Sequence, residues 1–555
     1  MHALPHRTDV VVVGTGAAGL TAALTAAAAG LRVTILEKAP VIGGTTVVSG
    51  GSIWAPANRW LAEAGVPDSR DDAVTYLRRL ALGRVPDRLI ETFVDQVNPM
   101  LDLVVKHTGL EFTPNLEHPD YQPDLPGARP GGRTLQSDLF DATQLGELRG
   151  KLRPPHSTVP VTKLELDRWG MDTLDRWDWA LIAERTAKGV VGMGAALVGE
   201  LLHGCLRLGA TVHTEARALR LHRTGTGTGT GDGGGGGAGG GRIEAITVAT
   251  PQGTVRVAVD RGVVLASGGF EWAPDMVGQF LGVPMDAPAS PPANVGDGLR
   301  MVMEIGAALA NMNEAWWGPM VYAAGDTYDG QPLYRPTSGL RALPGGIIVN
   351  RRGRRFADEA MNYNDLGKAM AQFDAIHYEY ANLPCWLVFD DRFRSSYSVA
   401  TVTPDSPTPG WMATAPTLRE LADTVGIDPD GLREQVAEFN RHAEHGQDPR
   451  FGRGTTVYDR YRGDPSVTPH RNLRPLGAGP YYAVRLHLGC LGTKGGPLCD
   501  EHGQVQGVDG APITGLYACG NVAASPFGPG YPGAGATLAA GMTYGFLSGR
   551  ALAGG

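Results

Sequence analysis

The 555-residue chain has little of what marks several protein classes. Its five cysteines, Cys205, Cys385, Cys490, Cys499 and Cys519, are scattered and odd in number, and none forms a CxxC or zinc-like spacing. That argues against a disulfide framework and a metal centre, and it reads as a set of reduced thiols in a cytoplasmic protein. Positive charge is not in excess: 49 Lys and Arg stand against 57 Asp and Glu, a net charge of −8 that offers no basic footprint for nucleic acid. Long apolar runs are missing too. The longest, around "AALTAAAAG", falls far short of the roughly 20 residues of a membrane span, so no stable membrane insertion is expected. "MHALPHRTDVVVVG" enters a strand-like run too soon to be a signal peptide. What remains is an ordinary soluble composition, 42% apolar and 19% charged, with length for two to four domains.

Against that background the N-terminus is specific. "TDVVVVGTGAAGLTAALTAAAAGLRVTILEK" (residues 8–38) runs from an apolar strand into Gly14-x-Gly16-x-x-Gly19, an alanine-rich helix and a second strand ending at Glu37-Lys38. A continuous apolar run suits a parallel strand buried on both faces. Gly14 permits the tight turn, Gly16 lets the backbone approach a pyrophosphate, and Gly19 lets the helix pack close on the strand. The helix N-terminus then presents free amides and a positive dipole end to phosphate, and Glu37 stands where it accepts hydrogen bonds from a ribose. The spacing predicts a bound dinucleotide.

Two further stretches favour FAD over a nicotinamide cofactor. "APVIGGTTVVSGGSIWAP" brings amides and hydroxyls without bulk, from Gly44, Thr45 and Thr46 to Ser49, Gly50 and Gly51. Near the other end, "ITGLYACGNVAAS" is a short strand leading to Gly520-Asn521, similar to the second FAD-contacting strand of two-dinucleotide-fold flavoproteins. "GVVLASGGFEWAP", with Gly268, resembles the strand and turn that close such domains. Ala18, Ala536 and Leu538 complete the expected cofactor-binding set. The fold class follows as α/β: a Rossmann-like FAD-binding domain split in sequence (1–284 and 484–555), with an inserted α+β catalytic domain (285–483). Within the first part, the glycine-rich residues 224–241 lie between two strand-like runs and read as a long flexible hairpin loop. In the inserted part, a capping acid before the amphipathic "GLRMVMEIGAAL" predicts a scaffold helix.

The order of these motifs resembles the succinate dehydrogenase/fumarate reductase flavoprotein superfamily, and within it the 3-ketosteroid Δ1-dehydrogenases. The likeness is carried by "GDGLRMVMEIGAALANMNEAWW", "PGGIIVNRRGRRFADEA", "LGTKGGPLCDEHGQV" and "GPGYPGAGATLAAGMTYG", and with the FAD motifs it spans nearly the whole chain. Residues 354–365, "RRFADEAMNYND", read on charge alone as a solvated helix start. In fumarate reductases the slot four residues after the glutamate holds an arginine that moves a proton; here it holds Tyr363. The resemblance implies that Tyr363 is the base that removes a proton beside a ketone, and that Tyr531 and Gly535 grip the ketone oxygen. Tyr121, in the Pro-rich "HPDYQPDLPGARPGGR", would relay the proton. Trp316 and Trp317 would form an apolar wall or simply core. "GGTTVVSGG" lacks the histidine that succinate dehydrogenases use for covalent attachment, so the FAD is expected to be non-covalent.

The implied activity is 1,2-desaturation of a 3-ketosteroid, with the electrons passed to an acceptor the sequence does not identify. Three alternatives stay open. One is 4,5-desaturation of a 3-ketosteroid or related cyclic ketone. Another is a fumarate-reductase-like reduction of unsaturated acids, disfavoured by Tyr363 and by the lack of a haem-binding CxxCH. The last is a flavin-carrying subunit without a substrate pocket.

Overall fold

The computed structural model describes residues 3–156, 159–170, 174–224 and 241–554. The glycine-rich loop lies, but for Thr224 and Gly241 at its ends, outside the described residues. Its flanking strands, Arg217–Arg223 and Ile243–Thr250, pair antiparallel, and the Thr224 amide donates to Arg242 O at 2.8 Å.

The buried run Val10 to Val13 sits at the centre of an eight-stranded sheet. Arg7–Val13 is hydrogen-bonded in parallel to Val33–Leu36 on one side and to Gly253–Leu265 on the other. Thr211–His213 and Pro512–Ala518 extend the sheet in parallel at either side. A strand enclosed on both sides and covered on both faces has no solvated side, which is why its sequence is continuously apolar rather than alternating. Helix Ala17–Ala28 follows Gly16 and packs against the last helix, Ala536–Ala553, along small residues. A Cβ added at Gly545 would come within 2.4 Å of Ala18 O, so this pairing needs glycine there.

A second sheet is built around Tyr481–Thr493. Its strand order is Gln331–Pro336, Ala315–Tyr328, Tyr481–Thr493, Cys385–Asp390 and Gly346–Asn350. The boundary expected between 483 and 484 therefore falls inside the central strand of this sheet, and the chain rejoins the first sheet only with Gln504–Gln506. The physical reason is that "YYAVRLHLGCLGT" runs as one uninterrupted strand: its glycines, Gly489 and Gly492, lie within the ladder and mark no change of sheet.

Two further expectations need correction. The charged run before Tyr363 is not a solvated helix start. Arg355 and Glu359 are 3% and 0% exposed, Arg355 forks onto both Glu359 and Asp448, and Arg453 donates to Glu359. Buried charge survives only when paired in this way. The helix begins later, as Tyr363–Met370, capped by Asn362, whose side chain accepts from the Asp365 amide at 3.0 Å. Likewise Asp297 does not cap the helix Asp297–Glu304. Gly296 is the capping residue, and Asp297 is the first helical residue, ion-paired to Lys38 at 2.8 Å and Arg217 at 2.7 Å. Among the described residues no helix is long and apolar enough to cross a membrane, and all five cysteines are buried and free.

Candidate active site

The glycines of the first turn hold the positions their spacing implies. Gly14 has φ +112°, and a Cβ there would lie 2.3 Å from Ala266 O; one at Gly19 would lie 2.2 Å from Gly14 O. At Gly16 the nearest neighbour is Thr46 Oγ1 at 3.3 Å, so its missing side chain leaves room for a ligand rather than for protein. Gly44–Val47 forms a single helical turn that brings Thr46 Oγ1 to accept from the Ala17 amide at 3.0 Å. Glu37 accepts from Thr15 Oγ1 and from the Ala39 amide at 3.0 Å, which fixes its carboxylate at the end of the second strand. Asn294 ties the far side of the turn together, donating to Thr45 Oγ1 at 2.9 Å and to Glu271 at 2.8 Å. These residues border a cavity of about 680 Å³. Every expected cofactor residue lines it except Gly19, which seats the helix, and Ala536, the fully buried first residue of the last helix. A small-residue cradle at a helix N-terminus beside an acidic strand end fits an adenine dinucleotide.

Tyr121, Tyr363, Tyr531 and Gly535 line the same cavity. Tyr121 Oη donates to Tyr363 Oη at 3.1 Å, and the Tyr363 and Tyr531 hydroxyls also interact. Thr537 Oγ1 donates to Tyr531 Oη at 3.2 Å. The three rings stand edge-on, with centroids 5.0 Å apart for Tyr121 and Tyr531, 5.4 Å for Tyr121 and Tyr363, and 5.6 Å for Tyr363 and Tyr531. Burial first, then the neighbouring phenols, pushes the Tyr121 and Tyr363 hydroxyls well above the ordinary phenol range. Gly535 caps the last helix with φ +91°. A Cβ there would strike Ser52 O at 2.4 Å, and its amide makes no hydrogen bond among the described residues.

The turn carrying Tyr531 is held from behind by a residue the sequence reading did not single out. Lys494 is 1% exposed and donates to Gly530 O at 2.8 Å and Pro529 O at 3.2 Å. Its ammonium lies 4.4 Å from the centroid of the Trp316 ring. Burial, then Lys368, pushes it down to about 7. Trp316 in turn packs 4.6 Å from the Tyr531 ring and donates to Asn521 Oδ1 at 3.0 Å. Trp316 is thus core between the cofactor strand and the Tyr531 turn, and it does not line the large cavity; nor does Trp317, which is 4% exposed. On the other side Tyr76 Oη and the Tyr121 amide both donate to Pro532 O, at 2.8 and 2.9 Å.

The sequence reading also passed over Arg462 and His118, which line the cavity beside Tyr121. His118 lies 6.2 Å from the Tyr121 ring, and its Nδ1 faces Pro119 O at 3.1 Å. Its Nε2 therefore accepts from Arg462 Nη2, at 3.1 Å. Burial, then Arg462, pushes the imidazole down to about 3, so it is neutral at physiological pH.

The family model described as "FAD binding domain" matches residues 9–538. Over 98% of its length the chain is 41% identical to the 4-oxocyclohexanecarboxylate 2-dehydrogenase of Sinomonas cyclohexanicum, covering 93% of that protein. It is 37% identical to the 3-oxosteroid 1-dehydrogenase of Mycobacterium tuberculosis strain H37Rv, with 97% of each chain covered. The crystal structure of the 3-ketosteroid Δ1-dehydrogenase of Sterolibacterium denitrificans in complex with 1,4-androstadiene-3,17-dione superposes with a TM-score of 0.91 at 33% identity, covering 99% of this chain and 100% of that one. Cradle, cavity and relatives agree: the chain belongs to the FAD-binding family and is an FAD-dependent oxidoreductase of the 3-oxosteroid dehydrogenase type.

Proposed function

We propose that the protein removes two hydrogens, one from the α and one from the adjacent β carbon of a cyclic ketone, as in 1,2-desaturation of a 3-ketosteroid. The observation that carries this reading is the convergence of the Tyr121, Tyr363 and Tyr531 hydroxyls beside an unengaged Gly535 amide in the cofactor cavity. Tyr531 Oη and the Gly535 N–H donate to the ketone oxygen, which draws electron density from the ring and acidifies the α C–H. Tyr363 Oη takes that proton. A phenol is a poor base at neutral pH, and Tyr121 assists it by sharing the Tyr363 hydrogen bond and passing charge away from the substrate. When bound, FAD supplies the acceptor for the hydride that leaves the β carbon, so the substrate loses one proton and one hydride and gains one C=C bond.

The two sheets support reading the chain as a split FAD-binding unit (the first sheet) with an inserted α+β substrate domain (the second), meeting at this cavity, and the FAD is held without a covalent link on this reading. The electron acceptor of the second half-reaction is a separate partner. The relatives' names bring two ketone classes forward, 3-oxosteroids and 4-oxocyclohexanecarboxylate. Anaerobic titration of the FAD-loaded protein with androst-4-ene-3,17-dione and with 4-oxocyclohexanecarboxylate, followed by flavin absorbance at equilibrium, tests the reading. Bleaching by either supports ketone desaturation, and the position of the new double bond in the product separates 1,2 from 4,5 chemistry. A flavin that neither ketone bleaches overturns it.

A further inference from the structure

The cavity is lined by six Lys and Arg side chains: Lys38, Arg153, Lys163, Arg217, Arg335 and Arg462. Five of them have a carboxylate partner within the protein. Lys38 and Arg217 share Asp297, Arg153 meets Asp329, Lys163 meets Asp167, and Arg335 meets Asp326. Arg462 has none among the described residues. Among the described residues its side chain makes one hydrogen bond, to His118 Nε2, its Nε is buried without a partner, and its guanidinium lies over the Tyr461 ring at 5.1 Å. His118 orients the guanidinium but, being neutral, brings it no negative charge, and Asp167 acts on Arg462 only through space, with no direct ion pair between them. Asp167, the acid of this corner, is taken up by Lys163, by Tyr461 Oη at 2.9 Å and by Asn115 Nδ2 at 3.0 Å. A half-buried guanidinium without a counter-ion costs folding free energy, and the planar fork of Arg matches a carboxylate.

We infer that Arg462, set by His118, is a carboxylate-binding subsite of the substrate pocket, and that the preferred substrate is a compact cyclic ketone bearing a carboxylate rather than a neutral steroid. This rests on the ketone-desaturation reading above. Tyr531 and Gly535 hold the ketone, and Arg462, which neighbours Tyr121 through His118, holds the acid at another point of the same cavity. The Arg462 charge then fixes which carbons face Tyr363.

The test compares 4-oxocyclohexanecarboxylate with its methyl ester on the FAD-loaded holoenzyme, reading the half-saturating concentration for anaerobic flavin reduction in wild type, R462Q and R462K. The wild type should prefer the acid over the ester. R462Q should weaken the acid on the order of 10²–10³-fold and the ester by less than about threefold, since removing one partner of a buried charge pair acts on the charged ligand alone. R462K, which keeps the charge without the fork, should retain part of the preference. Equal saturation by acid and ester in the wild type overturns the subsite whether or not the variants fold. Equal losses on both ligands in R462Q also overturn it, and place Arg462 instead in service of the Tyr121–Tyr363 pair. If no ketone bleaches the wild-type flavin, it is the desaturation reading that fails. The subsite is then judged by binding of cyclohexanecarboxylate, which lacks the ketone, through the change in flavin absorbance. It stands if R462Q weakens that binding and falls if R462Q leaves it unchanged.

Discussion

Replacing Tyr363 by Phe deletes one oxygen and keeps the ring, so the structure allows its costs to fold and to chemistry to be separated. The edge-on contacts to Tyr121 at 5.4 Å and Tyr531 at 5.6 Å depend on the ring and survive. What is lost is the acceptor of the Tyr121 hydroxyl together with the contact to the Tyr531 hydroxyl, and the buried donor left unmet costs about 1–3 kcal/mol in stability. No glycine of the cofactor turn touches this hydroxyl, so FAD content should stay at the wild-type level. Loss of a general base costs about 10²–10⁴-fold in rate, or about 3–5 kcal/mol of barrier. The ketone's binding should change far less, because Tyr531 and Gly535 still donate to it. Anaerobic stopped-flow bleaching of the flavin by a cyclic ketone should therefore slow by that factor, while reoxidation by an artificial dye stays unchanged. The wild-type pH profile adds a second signature. The active form of the base is the deprotonated one, and burial holds both Tyr363 and Tyr121 above the ordinary phenol range of about 10. The rate should accordingly still be rising at pH 10, and this limb should flatten or move in Tyr363→Phe. Tyr363→Arg, which restores the residue type of fumarate reductases at this slot, should not recover ketone desaturation. A Tyr363→Phe enzyme that bleaches at the wild-type rate would show the hydroxyl to be structural and would refute the mechanism.

Tyr531→Phe should retain FAD and lose on the order of 10²–10³-fold in flavin reduction, as expected for one donor to a developing oxyanion; a loss under about threefold would make Tyr531 packing. Lys494→Met keeps the bulk against Trp316 but leaves Gly530 O without its donor, while Pro529 O keeps only the one from Lys368 at 2.6 Å, so thermal stability should fall and flavin reduction should slow by about tenfold as the Tyr531 turn loosens. Unchanged kinetics in a folded Lys494→Met would remove Lys494 from the positioning of that turn. Asp358 is pushed up to about 8, by burial first and then by Asp459 and Glu359, above the 3.8 of a free aspartate. The stability it contributes is complete below about pH 4 and is lost as the pH climbs towards 8. Asp358→Asn should therefore match the wild type near pH 4 and melt higher at pH 9; parallel melting curves at both pH values would contradict this. Acid precipitation should release all yellow colour into the supernatant, and colour retained in the pellet would contradict non-covalent binding.

The first sheet was legible because local rules and tertiary demands coincide there. A strand buried on both faces must be apolar throughout, and the turn after it needs glycine at Gly14 and Gly19 for steric reasons that leave a fixed spacing. The second sheet was legible only in outline. Its central strand, Tyr481–Thr493, draws partners from regions as distant as Ala287–Pro288 and Cys385–Asp390, and nothing local states which sheet a continuous strand joins. The buried ion network around Arg355 escaped for a related reason. Arg355 and Glu359 are four residues apart and look like a surface pair, whereas Asp448 and Arg453, which bury them, arrive from about a hundred residues downstream.

The same division explains the candidate site. Tyr121, Tyr363, Tyr531 and Gly535 were accessible because each sits in a stretch of family-like sequence, although the phenols come together through long-range contacts: Pro532 O fixes Tyr121 and Tyr76 against the Tyr531 turn, and Asn362 Nδ2 donates to Tyr121 O at 3.2 Å. Arg462 had no such signal. "DRYRGDP" reads as one more charged surface turn, in a chain with 49 basic side chains. What distinguishes it is relational: among the described residues five of the six cations around the cavity make a direct ion pair and this one does not, and the imidazole beside it is held neutral. An unpaired charge is a property of the folded neighbourhood, not of a residue. It is also what binding selects on, since a charge already neutralised inside the protein has little left to offer a ligand. On the proposed reading, the base and the ketone grip set which bond is broken, and the cation without an ion-pair partner sets which molecule is brought to them.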